Sequence, residues 1–143
     1  MSQPADQDSV GYAIKRLHAA LHAAMDDVLR ELGIGVSQYA CLTALAARPE
    51  LSNAELARAV FVSRQATHQL LSGLREAGLV ESTGTGRGIR LSLSARGREL
   101  LAESAERVDE VQETMLAPLP AERREGLRDD LIRCAEALEA VAE

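Results

Sequence analysis

The stretch that most limits what this chain can fold into runs from Leu51 to Val80, LSNAELARAVFVSRQATHQLLSGLREAGLV. Its spacing predicts two short helices joined by a tight turn and running into a strand. Ser52 followed by Glu55 is a capping box, in which each side chain satisfies a backbone N–H at the start of a helix. That helix carries Leu56, Ala57 and Val60 on its buried side. Phe61 and Val62 form the turn, and Ser63 is an N-cap for a second helix of about four turns. In this second helix Ala66, Leu70, Leu71, Leu74 and Ala77 recur at helical spacing and define an apolar face. Gly78 supplies the residue beyond the C-cap that stops it.

The face opposite that stripe is the informative one. At about 100° per residue, Gln65, His68 and Ser72 lie nearly opposite the apolar positions, with Arg64, Gln69 and Arg75 flanking them. No acidic side chain falls between Ser63 and Arg75. A helix with this face can enter a DNA major groove, where Arg contacts guanine and Gln contacts adenine, each through two hydrogen bonds. The plain alternative is a solvated polar face.

The next segment of the chain favours DNA. After Leu79 and Val80 comes ESTGTGRGIR and then the alternating run Leu91–Ser92–Leu93–Ser94. This pattern predicts a hairpin with a glycine-rich tip, whose second strand leads into a helix N-capped by Ser94. Two helices and then such a hairpin make a winged helix-turn-helix, with Arg87 and Arg90 directed at the minor groove or its phosphates. Gly84, Gly86 and Gly88 also form a GxGxG, but a dinucleotide loop must lead into a helix and here a strand comes next. The glycines therefore read as hairpin geometry. No nucleophile elbow, HExxH or paired-Cys motif is present, so neither an enzyme nor a cofactor is expected.

On these residues the chain resembles the MarR family of bacterial transcription regulators. The resemblance rests on LSNAELARAVFVSRQATHQLLSGLREAGLV and the wing-closing IRLSLSARG, with one helix before them and two long helices after, and covers nearly the whole chain. One departure is plain: Thr85 stands where the family's wing usually carries Asp shortly before Arg87, and the hairpin is a few residues short. The resemblance implies a mostly α fold with a small β-hairpin wing (α+β) and a homodimer that represses from a pseudo-palindromic operator. It also implies a small anionic or aromatic effector bound between a dimer lobe and a DNA lobe, changing the spacing of the recognition helices. The expected DNA contacts are Ser63, Arg64, Gln65, His68, Gln69, Ser72, Arg75, Arg87 and Arg90. The expected effector pocket is walled by the first, second and connector helices, with His18, His22 and Tyr39 as candidates.

Net charge is −6, which on its face argues against nucleic acid, but its distribution reverses that reading. Residues 51–98 hold seven Arg and three Glu, whereas residues 99–143 hold five basic and thirteen acidic groups. The positive charge is thus concentrated in the segment assigned to DNA, and the acidic end keeps the rest away from phosphates. Tyr12, Tyr39 and Phe61 are the only aromatics, too few for stacking on single strands, so duplex DNA is the expected target. No apolar run approaches the ~18 residues of a membrane span, and no signal-peptide pattern opens the chain. Two cysteines, Cys41 and Cys134, make no disulfide framework, so a reducing cytoplasm is expected.

Taken in order, Met1–Ser9 is polar and expected to fray. Ser9 to Leu32 predicts a long amphipathic helix with Val10, Ile14, Leu17, Leu21, Met25, Val28 and Leu32 on one stripe. Gly33–Ile34–Gly35 breaks it, and Ser37 is expected to cap a second helix that carries Tyr39, Ala40, Leu42, Leu45 and Ala46 and ends before Pro49. Ala95 to about Leu116 reads as a helix too polar to be buried along its length, hence a connector. Pro118 and Pro120 separate it from a last helix, about Ala121 to Val141. There Leu127, Leu131, Cys134, Leu138 and Val141 trace the seam of a helical bundle. With Val10, Ile14, Leu17 and Leu21 this is more apolar surface than the small central lobe can cover, so the terminal helices are expected to pair with those of a second subunit. The expected division is 1–36 and 99–143 for dimerisation, and 37–98 for DNA.

Two other constellations weigh less. His18, His22 and Asp26 share a helix flank at a spacing able to hold zinc or nickel, but two surface histidines are the simpler account and no metal is expected. Cys41 and Cys134 read as small buried apolar residues rather than redox sensors. The competing functions are a winged-helix module whose basic face meets an acidic protein partner, and a metal-sensing regulator.

Overall fold

The computed structural model describes residues 9–60, 62–84 and 88–142. They form α1 (Val10–Arg30), α2 (Val36–Ala47), α3 (Asn53–Ala59), α4 (Arg64–Glu76), β1 (Val80–Thr83), β2 (Arg90–Leu93), α5 (Ala95–Leu116) and α6 (Ala121–Ala142). Two compact units result, one reaching Asp109 and the other beginning at Glu110. None of these helices is long and apolar enough to cross a membrane.

In the first unit, the helix starts, and the ends of α1 and α4, are set by specific side chains or glycines. Ser9 Oγ accepts the Tyr12 N–H, so Ser9 caps α1 and does not belong to a frayed lead. Residues 1–8 lie outside the described residues. At the other end Gly33 has φ 81°, a left-handed conformation, and the Ile34 N–H reaches back to the Leu29 carbonyl at 3.2 Å. This closure carries Leu29 and Ile34, both buried, into the core. The second helix is capped by Gly35, not by Ser37 as its sequence suggested. Gly35 offers no side-chain acceptor, but Gln38 Oε1 accepts its N–H at 2.9 Å, and Ser37 falls within the first turn instead. The capping box on α3 forms as expected, with the Glu55 N–H donating to Ser52 Oγ at 3.2 Å and the Ser52 N–H donating to Glu55 Oε1 at 3.0 Å.

The core of this unit gathers Leu29 from α1, Cys41, Leu42 and Leu45 from α2, Leu56 from α3, and Leu71 and Leu74 from α4. The hairpin closes it with Val80, Leu91 and Leu93, and α5 adds Val108. Strand β1 pairs antiparallel with β2, Val80 opposite Leu93 and Thr83 opposite Arg90. The Leu91 N–H also donates to the Leu51 carbonyl at 3.0 Å, which ties the hairpin to the segment entering α3.

A small junction fixes the hairpin against the helices. Ser94 Oγ accepts the Gly97 N–H at 3.0 Å, capping α5, and donates to the Gly78 carbonyl at 2.6 Å. Gly97 is buried there, and a Cβ at this position would overlap the Leu79 carbonyl oxygen. The end of α4, the start of β1 and the first turn of α5 are thereby held in contact.

In the second unit, the last turns of α5 lead through Pro118 and Pro120 into α6. Arg124 Nε donates to the Leu119 carbonyl at 3.2 Å, and its guanidinium meets Glu113 at 3.4 Å. No residue of α6 is buried.

Candidate nucleic-acid interface

Helix α4 is anchored at its start by two contacts from one residue. Ser63 Oγ accepts the Ala66 N–H at 3.0 Å, and its carbonyl accepts the Thr67 hydroxyl at 2.9 Å. Thr67 can therefore be wholly buried, and with Leu71 and Leu74 it forms the inward face, beside half-buried Ala66 and Leu70. The expected stripe omitted Thr67 and wrongly included Ala77, which is exposed at the C-cap. The helix ends there because Gly78, at φ 75°, lets the Leu79 N–H bond the Leu74 carbonyl at 2.9 Å.

That inward anchoring turns Arg64, Gln65, His68, Gln69, Ser72 and Arg75 outward, and all six are exposed, as is Ser63. Among the described residues neither Arg64 nor Arg75 pairs with a carboxylate. The helix N-terminus adds partial positive charge at the same end as Arg64. The face is rigidly held from behind, unopposed in sign, and donor-rich, which suits a phosphate-lined groove.

The wing is described only at its base. Gly84, directly after β1, has φ 87°, and a Cβ there would overlap the Gly88 carbonyl oxygen. Thr85 and Arg87 lie outside the described residues, as does Phe61 of the turn before α4. Arg90, expected to reach DNA, also has a partner within the chain. Its Nη1 meets Glu55 Oε1 at 3.3 Å, while Glu55 Oε2 lies 3.6 Å from Nη2 of Arg48 at the end of α2. Hydrogen bonds from the Ser52 backbone N–H and side chain, with the two guanidiniums beside it, hold the Glu55 carboxyl below the usual carboxylate range. Glu55 thus joins the end of α2, the cap of α3 and the base of the wing. Sequence reading assigned it only the cap. The available signal was that Glu55 is the one acidic residue between Leu51 and Arg75.

The effector candidates separate. Tyr39 lines a groove of about 500 Å³ between α1, α2 and α3, together with Met25, Val36, Thr43, Arg48 and Val60. His18 and His22 do not line it. They sit on α1 with ring centroids 6.3 Å apart. Asp26, the third member of the spacing weighed for a metal, pairs with Arg30. Among the described residues no three His, Cys, Asp or Glu side chains gather as a metal cluster. Cys41 is fully buried and burial pushes its thiol up to about 11, whereas Cys134, expected to be buried, is exposed. It lies on α6, where no residue is buried in the single chain.

The apolar seams expected at a dimer contact are open in the same way. Val10, Ile14 and Leu17 are 75%, 51% and 42% exposed, and Leu131 and Leu138 are 45% and 74% exposed. Leu21 and Leu127 are half-buried.

Known proteins bear on this geometry. The MarR family matches residues 32–88, from just beyond α1 into the wing. The HTH-type transcriptional repressor Rv2887 of Mycobacterium tuberculosis is 36% identical over 120 residues, which cover 82% of this chain and 86% of that protein. The crystal structure of Rv2887 in complex with salicylic acid matches with a TM-score of 0.75 at 32% identity, over 92% of this chain and 99% of that one. Its complex with DNA matches with a TM-score of 0.76 at 32% identity, over 88% and 97% of the two chains. With the helix-turn-helix, the hairpin wing and the flanking long helices all in place, the chain belongs to the MarR family of transcriptional regulators.

Proposed function

We propose that this chain is a ligand-responsive transcriptional repressor that binds a pseudo-palindromic duplex as a homodimer and catalyses nothing. The observation that carries the reading is the outward face of α4, where Arg64, Gln65, His68, Gln69, Ser72 and Arg75 are exposed together without an acidic neighbour before Glu76. A relative of known structure binds DNA, and the segment bearing this face is the segment matched by the family. A duplex target goes with a cytoplasmic location. In this reading Gln65 and its neighbours read base edges, whereas Arg64, Arg75 and Arg87 hold phosphates. Arg90 contributes by bracing the wing.

Dimerisation through α1 and α6 is part of the same reading. Val10, Ile14 and Leu17 on one helix, and Leu131, Ile132, Leu138 and Val141 on the other, are exposed apolar side chains on long helices. Side chains of this kind in rows call for a partner surface. A second copy supplies it and sets two recognition helices about one DNA turn apart.

The effector is a small aromatic acid, as the salicylic acid bound by the relative suggests. The groove beside Tyr39 falls within the ~300–1,000 Å³ of small-molecule sites.

Selection of bound duplexes from a random pool tests the reading. The expected result is one palindromic consensus, released by salicylate. Recovery of no consensus, with capture of the protein on an acidic protein matrix instead, would favour the interaction-module alternative.

A further inference from the structure

The groove beside Tyr39 and the ion cluster around Glu55 share one residue. Arg48 lines the groove, and its guanidinium also faces Glu55 Oε2 at 3.6 Å. We propose that Arg48 binds the carboxylate of an aromatic acid lodged in this groove, and that Glu55 is the internal competitor it must leave to do so. This rests on the effector reading above and assigns that effector its charged contact and its route to the DNA-binding elements.

The arrangement supports an exchange. Arg48 is the single cation among the groove's described lining residues, whose remainder is mostly apolar: Met25, Val36, Ala44, Ala47 and Val60, with Tyr39. The Thr43 hydroxyl is already committed to the Tyr39 carbonyl at 2.9 Å. An aromatic ring therefore finds apolar walls, and a carboxylate finds one guanidinium. The Arg48–Glu55 pair is the longer of the two at this carboxylate, and the Arg48 side chain is 64% exposed, so it is free to swing. An exposed pair of this kind is weak, and a well-placed second carboxylate can displace it.

The consequence reaches both ends of α3. At the N-terminal end Glu55 loses one of its two cations, and the end of α2 is uncoupled from the cap and from Arg90. At the C-terminal end Ala59 and Val60 wall the same groove, immediately before the turn that launches α4. A ligand that binds one arrangement of this cluster better than the other must alter DNA affinity, and DNA must alter ligand affinity by the same factor.

Salicylate is the probe, titrated calorimetrically into the full chain and three variants. Arg48→Gln should weaken salicylate about tenfold, the loss of one charge-assisted contact. Glu55→Gln should act in the opposite direction and tighten it about threefold, because the competitor is gone. Gln in place of Glu preserves the capping box, so α3 keeps its start. Arg48→Lys keeps the charge and should fall between wild type and Arg48→Gln, which controls for folding. Operator release by salicylate should also weaken in Glu55→Gln, since no ion pair remains to be exchanged. If wild type binds salicylate and Arg48→Gln binds it equally well, Arg48 is not the contact and this proposal fails while the effector reading stands. Weaker binding by Glu55→Gln would overturn the competition. No binding by wild type at millimolar salicylate would overturn both.

Discussion

The junction at Ser94 joins the two halves of the DNA-binding apparatus, and removing one oxygen from it has a calculable cost. Ser94→Ala deletes the acceptor of the Gly97 N–H and the donor to the Gly78 carbonyl. Loss of an N-cap costs ~1 kcal/mol, and a partly buried carbonyl left without its partner costs a further ~1 kcal/mol, the low end of the range for such groups. The total of about 2 kcal/mol is a large share of a small domain's stability. Gly97→Ala attacks the same place from the other side, because its Cβ would overlap the Leu79 carbonyl, and should be at least as damaging. Urea unfolding monitored by circular dichroism, at one fixed protein concentration because the protein is read as a dimer, measures both. With a slope of ~2 kcal/mol/M, the midpoint of Ser94→Ala should fall by about 1 M. A midpoint within ~0.3 M of wild type would refute the claim that this hydroxyl fastens the wing to α4 and α5.

The same structure gives three other expected outcomes. Leu131→Glu places a charge on the proposed dimer seam at a cost of ~3 kcal/mol or more, and sedimentation should show monomer or unfolded chain; an intact dimer would move the interface elsewhere. Cys41, buried with its thiol pushed up to about 11, should resist a disulfide-exchange reagent near neutral pH until the chain is unfolded, and rapid native labelling at Cys41 would contradict its placement in the core. Glu55 is held below its ordinary value of 4.5, chiefly by the Ser52 backbone N–H and then by the Ser52 side chain. Its contribution to stability is therefore fully present above the unfolded carboxylate pKa and is lost as pH falls through the lower folded value. Glu55→Gln should flatten the acid side of the stability profile, and an identical profile would show that the carboxylate is not held.

Most of the fold was legible because local chemistry and tertiary packing agree. The capping pairs at Ser52, Ser63 and Ser94, and the stop at Gly78, sit where their side chains and backbone freedom require. The readings that failed did so for identifiable physical reasons. Ser37 resembles a cap, but Gln38 reaches back to Gly35 and sets the start two residues earlier. Thr67 looks polar in sequence, yet its hydroxyl is satisfied by the Ser63 carbonyl within the helix, so its methyl can face the core. The site was less legible. The pairing of Arg90 with Glu55 was not legible, because the two lie 35 residues apart in the chain and no periodicity reports such a pair. His18 and His22 drew attention by spacing alone, while the groove beside Tyr39 depends on how three helices meet.

The central claim is that the outward face of α4 reads a duplex, with base edges and phosphates assigned to different residues. A salt titration of affinity for the selected operator and its single-base variants tests this directly. Gln65→Ala removes no charge, so the slope of log affinity against log salt should be unchanged, while discrimination at one position per half-site falls by roughly 1–3 kcal/mol. Arg64→Ala should instead reduce that slope by about 1 per lost phosphate contact, with base preference retained. If neither substitution changes affinity, slope or preference, α4 is not the reader, and its basic face serves a protein partner.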